Sequence, residues 1–117
     1  MNTQWRTMLF TLMMIALLLT ACGSSEAETT TEKLKVGVVL ETGGDNDKSF
    51  NQYSLQGARS AAEELGLDFE YNVSATPNDY ERNTANMAAS GVDLVITVGF
   101  RFGDATAKVA RANPNVH

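Results

Sequence analysis

A single cysteine, Cys22, occurs in the 117 residues. No disulfide can form within the chain, so oxidative stapling cannot stand in for a hydrophobic core. The one histidine is the last residue, His117, which offers no catalytic or metal-binding constellation. Basic residues are also few: nine Lys and Arg against fourteen Asp and Glu leave a formal net charge of −5. That balance excludes the basic footprint of a nucleic-acid binder and any electrostatic hold on anionic lipid; it serves solubility. No apolar run reaches the roughly 20 residues needed to span a bilayer. Internal repeats are absent as well.

The longest apolar run, Met8 to Leu19, follows a segment whose only charged side chain is Arg6. A positive start, an apolar middle and small residues at the end describe a signal peptide, here residues 1–21. The end, Leu19-Thr20-Ala21-Cys22, resembles the lipobox of bacterial lipoproteins, in which the cysteine is acylated before cleavage. Cys22 is therefore the expected lipidation site. Several acyl chains hold a protein firmly on a bilayer, whereas one of myristoyl length does so only marginally. The expected location is the extracytoplasmic side of the cell membrane. Residues 22–33, small, polar and acidic, have no apolar periodicity and form a flexible tether.

From residue 34 the pattern is regular. Leu34 to Leu40 is a short β-branched run suited to a buried parallel strand. Ser49 to Gln52 has the form of a capping box opening a helix through Leu65, with Tyr53, Ala58, Ala61, Ala62 and Leu65 among its apolar positions and Gly66 as its stop. Leu67 to Val73 alternates as a second strand, with Leu, Phe, Tyr and Val inward. Pro77, Asn78 and Asp79 make a turn and N-cap for a helix over Tyr80 to Ala89, and Tyr53 and Tyr80 read as packing residues. Val92 to Val98 reads as the clearest central strand. Asp104 to Ala112 is a third helix, stopped near Asn113-Pro114. Alternating strands and helices with short connections predict an α/β fold, a parallel sheet with helices on both faces. The pattern stops at Asn115-Val116-His117, where a fourth strand is expected to begin. Residues 34–117 thus read as a truncated N-terminal α/β lobe.

Open parallel sheets bind ligands beyond the carboxyl ends of their strands. Two loops are expected there, Glu41 to Asn51 and Gly99 to Asp104. The first contains three carboxylates, Gly43 and Gly44, then Ser49, Phe50 and Asn51. Lys48-Ser49 mimics the end of a phosphate loop, but the glycine spacing is missing and three carboxylates would repel phosphate. The dinucleotide pattern of three spaced glycines is absent too. A neutral polar ligand with donors and a flat ring fits better: carboxylates accept from it, Asn51 donates and accepts, and Phe50 offers a stacking face. Asp45 reads as solvated, Asp47 and Ser49 as loop and cap residues, and Asp104 as either a helix cap or a ligand group.

The block Val36-Gly-Val-Val-Leu-Glu-Thr-Gly-Gly-Asp-Asn-Asp-Lys-Ser-Phe-Asn-Gln52 resembles the start of the basic membrane protein family of lipoproteins, the PnrA-like substrate-binding proteins of nucleoside ABC transporters. Val95 to Asp104 resembles the family's second block. The resemblance implies the first lobe of a type I periplasmic-binding fold, with ligand in a cleft between two lobes. It implies that Phe50 is one of two aromatics sandwiching a base, that Glu41 and Asn51 bond to base edges, and that Asp104 lies on the ribose side. The family usually has Asp at the position of Glu41, and the added methylene is expected to push the carboxylate deeper into the cleft. The implied function is capture of a purine nucleoside, or similar neutral ligand, for an ABC permease, with no catalysis, cofactor or metal. A ligand-sensing or surface-interaction lipoprotein of the same fold is the alternative, and a Rossmann-like nucleotide enzyme a remoter one. With half the cleft in a second lobe, residues 22–117 alone are expected to bind nucleosides weakly or not at all.

Overall fold

The computed structural model describes residues 33–117; the expected signal peptide over residues 1–21, Cys22 and the expected tether through residue 32 lie outside the described residues. The elements alternate as β1 (Lys35–Leu40), α1 (Phe50–Leu65), β2 (Asp68–Val73), α2 (Tyr80–Ala89), β3 (Leu94–Val98) and α3 (Gly103–Ala112). Short 3₁₀ turns at Pro77–Asp79 and Phe100–Phe102 lead into α2 and α3. All three strands run parallel in the order β2-β1-β3.

The central place belongs to β1, not to the Val92–Val98 run. Val38 of β1 lies opposite Tyr71 on one side and Ile96 on the other. Val36 through Leu40 are buried because both sheet faces are covered at this strand. One face packs Val38, Leu40 and Val98 against Leu55 of α1. The other packs Val39 against Tyr80 and Met87 of α2, together with Val92 and Phe102. β3 is only partly buried, which fits its position beside β1 with one further edge. On that edge the His117 N–H donates to the Asp93 carbonyl at 2.9 Å, and the Val95 N–H donates to the His117 carbonyl at 2.7 Å. These two bonds are one step of a parallel ladder, placed where the sequence pattern expects a fourth strand.

The buried stripe of α1 is Asn51, Leu55 and Ala62, with Ala58 partly buried in the same row. Those positions follow the three-and-four spacing of one helix face. Tyr53 is two residues from Asn51, about 200° round the helix, and is 65% exposed rather than packed. Ala61 and Leu65 also face outward. Gly66 ends the helix in the left-handed conformation, φ 68°, and the Leu67 N–H returns to the Ala62 carbonyl.

The start of α1 is built differently from the expected capping box. Ser49 makes no side-chain cap bond. Asp47 does the capping: its carboxylate accepts from the backbone N–H groups of Ser49 (2.9 Å), Asn51 (3.1 Å) and Gln52 (3.0 Å). Gln52 reaches back to accept from Lys48 N–H. The bond from Gln52 N–H, followed by those from Ser49 and Asn51, outweighs partial desolvation and holds the Asp47 carboxyl below its ordinary value of 3.8. A depressed carboxylate contributes stability above its unfolded pKa and loses it as pH falls through the lower folded value. Asp47→Asn is therefore expected to flatten the fall in melting temperature below about pH 4 while leaving the neutral-pH spectrum helical. An unchanged acid limb would remove Asp47 from that role.

Asp79 likewise differs from its expected role as a cap of α2. Its carboxylate turns back to accept from the N–H and hydroxyl of Thr76, at 2.9 and 3.0 Å, and pairs with Arg82. It fixes the turn ahead of the helix rather than the helix end itself.

Candidate functional site

The ends of β1 and β3 deliver the two expected loops to one edge of the sheet. The Glu41 N–H donates to the Val98 carbonyl at 3.0 Å, so the loops start side by side. Gly43 and Gly44 both have positive φ, 127° and 82°, which suits them to the backbone turn. The loop is also tied to β2: the Tyr71 hydroxyl donates to Asp45 at 2.9 Å, so Asp45 is bonded rather than merely solvated. That bond raises the Tyr71 phenol above its ordinary value.

Three of the four expected ligand residues are brought together. Asn51, buried in the first turn of α1, donates from Nδ2 to the Glu41 carbonyl at 3.4 Å. Phe50 precedes it on the same turn and is 52% exposed, so its ring is not a core residue. Its ring stacks on Phe100, with centroids 5.8 Å apart and planes inclined by 14°. Phe100 itself is 93% exposed. Two large aromatics left this open at a strand-end loop are unusual for a surface with nothing to meet. Asp104 lies exposed in the first turn of α3, where its charge suits the helix dipole. It makes no cap bond, and no hydrogen bond or ion pair among the described residues joins it to the other three.

The Glu41 side chain packs against Gly99. The carboxylate lies across the backbone of Gly99, where an added methyl would fall 2.6 Å from Glu41 Cγ and 2.7 Å from Oε2. Oε2 is enclosed and has no hydrogen-bond partner among the described residues. Its nearest cation is Arg101, with Nε at 3.5 Å. Arg101 also donates from a terminal nitrogen to the Thr42 hydroxyl at 3.3 Å, and Thr42 in turn meets the Tyr80 hydroxyl at 3.3 Å. Tyr80 is buried and stacks on Phe102 at 4.4 Å. A polar chain thus runs from the core through Thr42 and Arg101 to Glu41.

Sequence reasoning placed Phe100 and Arg101 in an unusual loop but named neither as a site residue. Their signal was an aromatic–Arg–aromatic triplet directly after a strand. Which of its members would turn outward depends on the 3₁₀ turn at Phe100–Phe102, which buries Phe102 and exposes its two predecessors.

The arrangement offers a flat apolar face, a buried amide and a carboxylate–guanidinium pair, the equipment for a planar polar ring. Among the described residues no group of His, Cys, Asp and Glu is placed to hold a metal. The family model described as ABC transporter substrate-binding protein PnrA-like matches residues 33–117. The ABC transporter nucleoside-binding protein BmpA of Lactococcus lactis is 34% identical over 104 residues, covering 82% of this chain and 30% of that protein. An uncharacterized lipoprotein of Pyrococcus abyssi is 33% identical over 94 residues, 80% of this chain and 23% of that one. Among solved structures, an ABC transporter solute-binding protein from Aeropyrum pernix superposes with a TM-score of 0.64 at 34% identity, covering 71% of this chain and 23% of that one. The chain therefore spans between about a quarter and a third of the length of these relatives.

Proposed function

Because the chain belongs to the Bmp family of PnrA-like ABC-transporter substrate-binding proteins, we propose that it supplies the first wall of a purine-nucleoside receptor held on the cell membrane through Cys22. The family is one of solute-binding proteins and not of enzymes. The fold is likewise that of the α/β lobes in solved solute-binding proteins.

The observation that carries the nucleoside reading is the exposed Phe50–Phe100 pair beside Asn51 and Glu41. A base stacks on the open aromatic face while its edge meets the amide and the carboxylate. The relative from Lactococcus lactis bears a nucleoside-binding name, which supports the same ligand class. Asp104, on the first turn of α3, is assigned to the ribose side. Ligand contacts from a second lobe complete the cleft, and closure favours the liganded state by its higher affinity. The receptor then hands its ligand to an ABC permease. Residues 1–21 act as the export signal and residues 22–33 as the tether, and the Pyrococcus relative's name as a lipoprotein accords with acylation at Cys22.

The test is calorimetric titration of the full-length protein with purine nucleosides. Phe50→Ala, which removes an exposed ring and so spares the core, is expected to weaken binding roughly tenfold to hundredfold, the worth of one base–aromatic stack at about 1–3 kcal/mol. Affinity unchanged in that variant would take Phe50 out of the site. No binding of any nucleoside to the unaltered protein would remove the ligand class.

A further inference from the structure

We propose that Arg101 is a specificity-determining residue, forming with Glu41 a donor–acceptor pair that selects 6-oxopurine nucleosides over 6-aminopurine ones. The inference rests on the nucleoside reading above and adds to it a choice of base and a residue that makes the choice.

The geometry starts from an imbalance. Glu41 is mostly enclosed, with its side chain 17% exposed, yet its buried oxygen Oε2 takes part in no hydrogen bond among the described residues. Arg101 approaches Oε2 through Nε at 3.5 Å, an ion-pair distance and not a hydrogen bond. An enclosed carboxylate without donors is costly unless something supplies them. Gly99 fixes the carboxylate from below, and the chain of Tyr80 and Thr42 fixes the guanidinium from the core. Two opposite charges are thus held next to one another at the mouth, each with bonding capacity left over. A guanidinium carries five N–H donors, of which one terminal nitrogen serves Thr42. The Arg101 side chain remains 61% exposed.

A ligand edge that satisfies both must present a donor to the carboxylate and an acceptor to the guanidinium at neighbouring positions. The 6-oxopurines do so: N1–H is a donor and the adjacent O6 an acceptor. Held in the same orientation by the aromatic stack, adenine reverses both, with an unprotonated N1 and an amino group at C6. Against this pair it places a lone pair on the carboxylate and N–H bonds on the guanidinium. The carboxylate alone would disfavour an unprotonated N1, but it would leave position 6 unread. Arg101 is what makes the pair read both atoms. Phe100, one residue away on the same turn, and Phe50 from α1 stack without regard to base.

The measurement is calorimetry on the full-length protein with guanosine, inosine and adenosine, for the unaltered chain and for Arg101→Ala, Arg101→Lys and Phe50→Ala. Guanosine and inosine are expected to bind about tenfold to hundredfold tighter than adenosine, in line with the discrimination of one paired polar contact. Arg101→Ala is expected to lose most of that ratio by weakening the 6-oxopurines while adenosine changes little. Arg101→Lys, which keeps the charge and a donor, is expected to retain part of it. An unchanged guanosine-to-adenosine ratio in Arg101→Ala overturns the proposal. So does an equal loss for all three nucleosides, since that marks Arg101 as a support for Glu41 and not a reader of the base. In either case, weaker binding by Phe50→Ala leaves the nucleoside reading standing. If no nucleoside binds the unaltered protein, both readings fall together.

Discussion

Phe102→Ala is expected to cost about 3–5 kcal/mol, the usual range for emptying a buried phenyl site. A folded unit of the size of residues 33–117 has a total stability of about 4–13 kcal/mol, so the variant is expected to lose a large share of it, enough to unfold the chain at the low end of that range. Phe102 is 1% exposed and packs with Val39, Tyr80, Met87 and Val92, a cluster that joins β1 to α2 and the turn before α3. Little around it can collapse into the gap, because Val39 lies in the central strand and Tyr80 is pinned through its hydroxyl to Thr42. The check is urea denaturation followed by circular dichroism, with Phe102→Leu as a milder companion. A loss below about 1 kcal/mol for the alanine variant would contradict the enclosed packing.

Gly99→Ala is the second large effect, and it joins stability to the site. Gly99 has φ 134° and ψ 146°, a conformation in which glycine stands almost alone. A side chain there costs about 1–3 kcal/mol from the backbone. The added methyl also falls within 2.7 Å of Glu41 Oε2, so the carboxylate must swing off its seat and leave Arg101. The expected outcome is a less stable protein and, on the proposed ligand class, weaker nucleoside binding. Glu41→Ala combined with Gly99→Ala separates the two causes: the clash disappears and the backbone strain stays. The double variant is therefore expected to be more stable than the sum of the single losses. Strict additivity would show that Glu41 does not rest on Gly99.

The order and type of the elements were legible because each carries its own local signal. Gly66 follows the last turn of α1 and stops it as glycine does at a helix end. The β-branched run at Val36–Leu40 is apolar throughout because helices cover both faces. Strand order was not legible, since three apolar runs of similar length say nothing of which lies between the others. The cap of α1 was misplaced by two residues for a reason outside composition. Lys48 adopts a left-handed φ of 52°, and that turn carries Asp47, not Ser49, over the free N–H groups. Tyr53 was misread because apolar character was counted without its angle from Asn51.

The candidate site divides in the same way. Phe50, Asn51 and Glu41 sit in one recognisable block, so their identity could be read directly. The direction of Glu41 could not, because it depends on the bare backbone of Gly99, 58 positions further along the chain. Phe100 and Arg101 needed the turn geometry that buries Phe102 and leaves its neighbours at the rim. Asp104 sits on a different element, the first turn of α3, and no hydrogen bond or ion pair among the described residues joins it to Glu41, Phe50 or Asn51.

The placement of β1 has a mechanical consequence. The chain enters this unit at Lys33, just ahead of the central strand, and the site begins where that strand ends at Leu40. Six strand residues put the two points about 20 Å apart, at opposite ends of the sheet. Anything attached on the amino side, a lipid-borne tether or an engineered fusion, thus pulls at the end of the sheet away from the ligand mouth. A pull applied there loads the ladders to β2 and β3 lengthwise and together, so they resist as a set instead of opening one bond at a time. The strand that orders the core is also the one best placed to bear such a load.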